Sequence, residues 1–283
     1  KVSNRTFHIA WNKTTGNISS LTFDGRSMLA SPSDLPAQPW TQAFRAPTDN
    51  DKSFGNWLAK DWKLHKMDTL DIVTLDSLTH QKLPNGSVEV KVAQKNRYAH
   101  GSIDTHYIYT ITEAGAIDMK VTFSPQGELP ELPRLGIAFC IPSDYNLFTW
   151  YGRGPQENYP DRKTSTDVGL WKGKVSEQYT HYPRPQDSGN KEEVRHLTLT
   201  NNKGKGLRVE AIGKPFSASA LHYTAQDIYT VSHDCYLQPR NEVILSLDAA
   251  VLGLGNSSCG PVVLKKDAIE KKPHTLHVTL VGQ

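Results

Sequence analysis

Ile117-Asp-Met-Lys-Val-Thr-Phe123 decides the fold of this chain. Successive side chains of a strand point to opposite faces, so Ile117, Met119, Val121 and Phe123 share one face and Asp118, Lys120 and Thr122 the other. Such alternation belongs to a half-buried antiparallel sheet. Working outward, Glu113-Ala-Gly-Ala116 is a turn that pairs this strand with residues 107–111. Pro84-Asn85-Gly86 gives a second hairpin signal between 70–75 and 87–92. At the start of the chain Phe7, Ile9 and Trp11 share a face. Residues 12–17 then turn into 18–23 and Asp24-Gly25 turns again, as in a β-meander. Residues 135–141 are uniformly apolar and read as a central strand with Cys140 in the core. Further strands are expected at 195–200, 206–211, 243–251 and 274–281. Phe54, Trp57, Leu58 and Trp62 recur at helical spacing, so 53–66 is the expected helix, its aromatic stripe facing the core. Many short strands with one helix imply an all-β antiparallel sandwich rather than βαβ units.

The totals agree with this class. At 283 residues the chain can hold one large β domain or two smaller ones. Hydrophobic residues at 37% and charged residues at 22% describe a soluble globular protein rather than a disordered one. A formal charge of +3, scattered along the chain, argues against nucleic acid as a partner. Apolar runs of a few residues leave no membrane span, and Lys1-Val2-Ser3-Asn4 reads as the approach to a strand rather than a signal peptide. The compartment stays open. Cys140, Cys235 and Cys259 are widely spaced, without a paired metal-ligand spacing.

Chemistry concentrates in Tyr151-Gly-Arg-Gly-Pro-Gln-Glu-Asn-Tyr-Pro-Asp-Arg162. Its glycines and prolines argue for a loop, and its Arg, Glu, Asp, amide and Tyr side chains can donate, accept and stack. That mixture suits a sugar, and equally an ordered loop whose polar groups satisfy one another. The chain stays polar from Arg162 to Arg195, with a second aromatic and amide-rich loop at 179–190. Asp49, Asn50 and Asp51 are hard oxygen donors, yet the glycine and distal Glu of an EF-hand are missing. Asp51 or Ser53 can instead accept N–H bonds at a helix entry.

Taken with Arg45-Ala-Pro-Thr-Asp-Asn-Asp51, Leu132-Pro-Arg-Leu-Gly136, Arg184-Pro-Gln-Asp-Ser-Gly-Asn190, Ser232-His233 and Gly253-Leu-Gly-Asn-Ser-Ser-Cys-Gly-Pro261, the 151–162 segment resembles the C-terminal, small-chain domain of glycoside hydrolase family 2 β-galactosidases. The resemblance runs over essentially all of 1–283 and implies a single domain, a large antiparallel supersandwich of the galactose mutarotase-like type. It further implies a parent enzyme that removes terminal non-reducing β-D-galactose by the retaining route, with two Glu carboxyl groups roughly 5 Å apart. Those carboxylates belong to a preceding TIM barrel, so no catalytic residue and no metal are expected in this chain, and the fragment alone is expected to be inactive. Magnesium and sodium are implied for the parent, near the barrel carboxylates. The implied partners are the barrel and other preceding domains, the galactoside substrate and, for the parent, further copies of itself. The residues expected to bind carbohydrate or face the barrel are Arg45, Asp49, Asn50, Glu157, Asn158, Tyr159, Arg162, Asn256, Ser258 and Cys259. Cys259 stands where the family places a Trp that stacks on the aglycone sugar, and the loop is slightly shorter. Two other readings remain. A stand-alone aldose epimerase would draw on His222, His233, Glu157 and Asp187, and a carbohydrate-binding module on Glu157, Asn158, Tyr159 and Arg162.

Overall fold

The computed structural model describes residues 1–52, 57–69 and 72–283. The strands are β1 (Val2–Ser3), β2 (Phe7–Trp11), β3 (Ile18–Phe23), β4 (Arg26–Ser27), β5 (Trp40–Gln42), β6 (Ile72–Lys82), β7 (Val88–Arg97), β8 (Gly101–Ile111) and β9 (Ile117–Gly127). They continue with β10 (Arg134–Ile141), β11 (Leu147–Gly154), β12 (Asp167–Lys174), β13 (Lys191–Val194), β14 (His196–Thr200), β15 (Gly206–Ala211), β16 (Phe216–Leu221), β17 (Val243–Val251) and β18 (His274–Gly282). The helices α1 (Asp49–Lys52), α2 (Trp57–Leu64) and α3 (Ala225–Thr230) are short.

Among the described residues the strands form three antiparallel sheets. Nine strands run in the order β12-β11-β14-β15-β18-β9-β8-β7-β6, five in the order β13-β16-β17-β10-β5, and four in the order β1-β2-β3-β4. In β9 the alternation survives intact, with Ile117, Met119, Val121 and Phe123 all fully buried. Their partners are β8 on one side and β18 on the other. β10 is buried along its whole length because both its faces are covered. Leu135, Ile137, Phe139 and Ile141 join a core shared with the other two sheets. Ala138 and Cys140 turn to the opposite face, where they meet Trp40 and Ile244. Burial pushes the Cys140 thiol up to about 12, so it is an inert core group.

Several expectations change. Tyr151 to Gly154 is not loop but the end of β11, paired with β12 and, through Tyr151, with β14. Its glycines admit close neighbours rather than break the strand. A Cβ on Gly152 would lie 2.9 Å from the Val194 backbone. The prolines that argued for a loop come after the strand ends. β12 was hidden in the polar stretch because it is an edge strand with little burial, and Val168 and Leu170 stay exposed. β16, rich in Ser and Ala, is buried without the bulky residues that mark a strand. Within the expected helix, Trp57–Leu64 form α2. Ser53 and Phe54 lie outside the described residues, as do Leu70 and Asp71 of the expected strand that becomes β6. Trp62 is fully buried and its Nε1 donates to the Glu131 carbonyl at 2.7 Å, as a core residue should.

Candidate functional site

Two layers of polar residues meet where the 155–166 and 253–260 loops approach α1, and the inner one is a frame of buried ion pairs. Arg45 follows β5 and is 1% exposed. Its Nε and one Nη donate to the two Asp51 oxygens at 3.0 and 2.7 Å. Its remaining donors reach the carbonyls of Leu252 and Gly253 at 2.7 and 3.0 Å. Asp51 in turn accepts from Thr48 N at 2.8 Å and Thr48 Oγ1 at 2.9 Å, which gives it the helix-entry role. Arg134 forks onto Asp248 at 3.2 and 2.6 Å and stands 4.0 Å from Asp187. A bulge between Leu135 and Gly136 interrupts the β10–β17 pairing beside this ion pair. Tyr159 is fully buried and donates its hydroxyl to Asp187 Oδ2 at 2.8 Å.

Burial pushes the Asp187 carboxyl up, with Arg134 and Arg45 pulling it back. It does the same to Asp248 against Arg134. The guanidinium of Arg134 is held above its ordinary range, because Asp248 and Asp187 outweigh the cost of burying it. Asn158 completes the frame. Its Nδ2 donates to the Gln156 carbonyl at 3.0 Å, its Oδ1 accepts from Glu192 N at 2.7 Å, and its own carbonyl accepts from Asn190 Nδ2 at 2.8 Å. Arg45, Asn158 and Tyr159 therefore present no group to a ligand or a neighbouring domain. Their polar atoms are consumed in holding three loops together, which corrects their assignment to the outer surface.

The outer layer is different. Glu157 accepts from Gly189 N at 2.8 Å, from the Tyr182 hydroxyl at 2.5 Å and from Arg162, whose side chain is 46% exposed and lies over the Tyr159 ring. Asp49, at the surface, faces Arg184 at 3.6 Å and Gln186 Nε2 at 3.3 Å. Asn50 reaches across to the C-terminal loop. Its Nδ2 donates to the Gly255 carbonyl at 2.6 Å, and its Oδ1 accepts from Ser258 N and Oγ at 3.2 and 2.7 Å. Asp161 clamps the same loop by accepting from Leu254 N and Gly255 N at 2.9 and 2.7 Å. A Cβ on Gly253 would lie 2.7 Å from the Asp161 carboxylate, so a side chain there would push this clamp back.

Asp49, Asn50, Glu157 and Arg162 line one recess of about 130 Å³ together with Tyr182, Gln186, Asp187 and Leu254. A neighbouring recess, sharing Asn50, Arg162 and Leu254, is flanked by Asn256 and the exposed Val262 and Leu264. Asn256 and Cys259 are exposed, and Ser258 is turned inward to Asn50. The sequence reading missed Tyr182, Gln186 and Leu254, and the 184–190 motif was the signal for Gln186. A cation between Asp49 and Asp51 does not fit, since Asp51 is filled by Arg45 and Thr48 and Asn50 Oδ1 by Ser258. Among the described residues no group of three or more His, Cys, Asp or Glu is placed to hold a metal. Of the epimerase set, Glu157 and Asp187 share this recess, and neither His222 nor His233 lines it. His222 Nδ1 is tied to the Glu242 carbonyl at 2.9 Å, and Asp187 to Tyr159.

The three sheets define the class, an all-β antiparallel sandwich. A putative aldose 1-epimerase from Escherichia coli K12 superimposes over 100% of this chain and 97% of its own with a TM-score of 0.53, at 10% identity, a likeness of fold. The chain belongs to the family described as Beta galactosidase small chain, whose profile matches residues 3–280. A β-galactosidase of Priestia megaterium is 30% identical over 254 residues, 90% of this chain and 23% of the relative. One from Kluyveromyces lactis is 30% identical over 266 residues, 91% of this chain and 24% of the relative. The chain thus spans about a quarter of the length of these relatives.

Proposed function

We propose that this chain is the C-terminal small-chain part of a glycoside hydrolase family 2 β-galactosidase, an enzyme that removes terminal non-reducing β-D-galactose by the retaining route. In this reading the domain packs on a catalytic barrel and shapes the entrance to its active site. The observation that carries it is the recess of Asp49, Asn50, Glu157 and Arg162. At about 130 Å³ it falls below the roughly 300 Å³ of a self-sufficient ligand pocket, yet its rim is polar and firmly anchored. Such a surface is one wall of a site whose other wall comes from elsewhere. The exposed Val262 and Leu264 beside it supply apolar area for an interdomain contact. The catalytic carboxylates, and the magnesium and sodium of the parent, belong to the barrel.

Cys259, in place of an aromatic platform, removes one stacking face and relaxes the demand for a sugar as aglycone. The test is hydrolysis of a chromogenic β-galactoside at high enzyme concentration. The chain alone is expected to be silent, and activity is expected when the preceding domains are supplied in trans. Turnover by the chain alone would overturn the proposal.

A further inference from the structure

The face of the five-stranded sheet that turns away from the main core gathers small polar residues. Ala138 pairs with Trp40 of β5 and with Ser246 of β17, and Ser246 pairs with Ser219 of β16. Residues opposite one another across strands share a face, as do residues two apart, so Gln42, Ser219 and Ser246 point the same way. The small side chains of β16 thereby find a use: Ser217 donates to Glu192 Oε1 at 2.8 Å, and Ser219 leaves room beside it. What results is a cavity of about 20 Å³ whose polar lining is Gln42, Arg134, Asp187, Asn190, Ser219 and Ser246. Two of its acceptors are unmet. Gln42 and Asn190 are 9% and 2% exposed, and among the described residues neither Gln42 Oε1 nor Asn190 Oδ1 accepts a hydrogen bond. The Asn190 amide cannot turn over, because its Nδ2 donates to the Asn158 carbonyl and Glu192 Oε1 at 2.8 and 2.7 Å. Arg134 and Asp187 stand 4.0 Å apart at the same cavity, too far for a direct bond.

We infer that this cavity is a binding site for one ordered water, which donates to Gln42 Oε1 and Asn190 Oδ1 and accepts from the Ser219 and Ser246 hydroxyls. The size fits, since a buried water needs about 10–15 Å³ of such space and roughly two to four polar partners. The chemistry selects water over an ion. A metal cation would satisfy both amide oxygens but would lie against the Arg134 guanidinium, and an anion would meet two carbonyl oxygens and the Asp187 carboxylate. Water donates where the amides need donors and accepts where the hydroxyls need acceptors. It ties the 184–190 loop, through Asn190, to β5, β16 and β17 at once. Asp187 lines both this cavity and the rim recess, so the water backs one wall of the candidate site. The inference holds whatever the rim binds.

Oxygen-17 magnetic relaxation dispersion counts the waters that stay bound for longer than the protein takes to tumble. Ser246→Val fills the cavity and removes a hydroxyl, and it is expected to lower that count by one. Ser246→Ala removes the hydroxyl without adding bulk, and it is expected to leave the count unchanged. A high-resolution crystal structure of the unmutated chain is expected to show a water about 2.7–3.2 Å from both amide oxygens. Equal counts for the unmutated chain and Ser246→Val overturn the inference. A Gln42 amide turned over so that its Nε2 donates directly to Asn190 Oδ1, with no water between, overturns it as well. So does a metal ion at the site, read as a melting temperature that shifts when potassium replaces sodium in the unmutated chain but not in Ser246→Val. Where Ser246→Val fails to fold, the crystal structure decides alone.

Discussion

The inner frame and the outer rim of the candidate site are built from the same residue types, drawn from the same sequence motifs, and they do opposite jobs. Arg45 and Arg162 illustrate the contrast. Arg45 is sealed against Asp51 and two carbonyls, whereas Arg162 leans over Tyr159 with nearly half its surface in solvent. A dense polar motif is therefore a site only where its donors and acceptors outnumber one another's needs. Here the surplus falls at the rim, and the frame exists to hold the rim still.

The sharpest way to break that distinction is Arg45→Met. It leaves Asp51 buried without its partner and two carbonyls without donors, so the loss should be about 3–5 kcal/mol of folding free energy, read as a lowered urea midpoint. A loss under about 1 kcal/mol would mean that the frame is not structural. Lys191 tests the frame from the other side. It is 2% exposed, sits over the Trp150 ring at 5.0 Å, and burial pushes its amine down to about 8. From about pH 8 to 10.5 the unfolded chain binds a proton here that the native chain does not. Stability therefore rises with pH through that window, by about 3 kcal/mol, and below it the burial cost is constant. Lys191→Met should stabilise the protein by about 1–3 kcal/mol at neutral pH and flatten that rise, measured as melting temperature across pH.

Most of the fold was legible because period-two alternation and Asn-Gly or Asp-Gly turns survive wherever one strand face is wet. β2, β9 and β15 follow that rule, and in β3 a bulge at Ser19 interrupts it. It fails at the two extremes of burial. β12 has almost no buried face to reveal it, and in β16 both faces are buried by small residues. The site was legible as a cluster of loops but not as two layers, because burial of Arg45, Asn158 and Tyr159 depends on contacts from residues more than a hundred positions away or from neighbouring loops. The Arg45 bonds to Leu252 and Gly253 are of the first kind, and the Asn158 bonds to 190–192 of the second.

The gentlest substitution asks most of the comparison. Arg162→Ala removes an exposed guanidinium, a cation over the Tyr159 ring and one partner of Glu157, but Glu157 keeps Gly189 N and the Tyr182 hydroxyl. No polar group is stranded without a bond, so folding stability should change by no more than about 0.5–1 kcal/mol. If the rim faces a barrel or a sugar, activity regained on mixing with the preceding domains should nevertheless fall at least tenfold at equal protein concentration. Asp49→Ala should behave alike, since its carboxylate is exposed and, among the described residues, meets Arg184 and Gln186. Unchanged complementation by both variants, with both fully folded, would reduce the rim to a second structural layer and move the working surface to Val262 and Leu264.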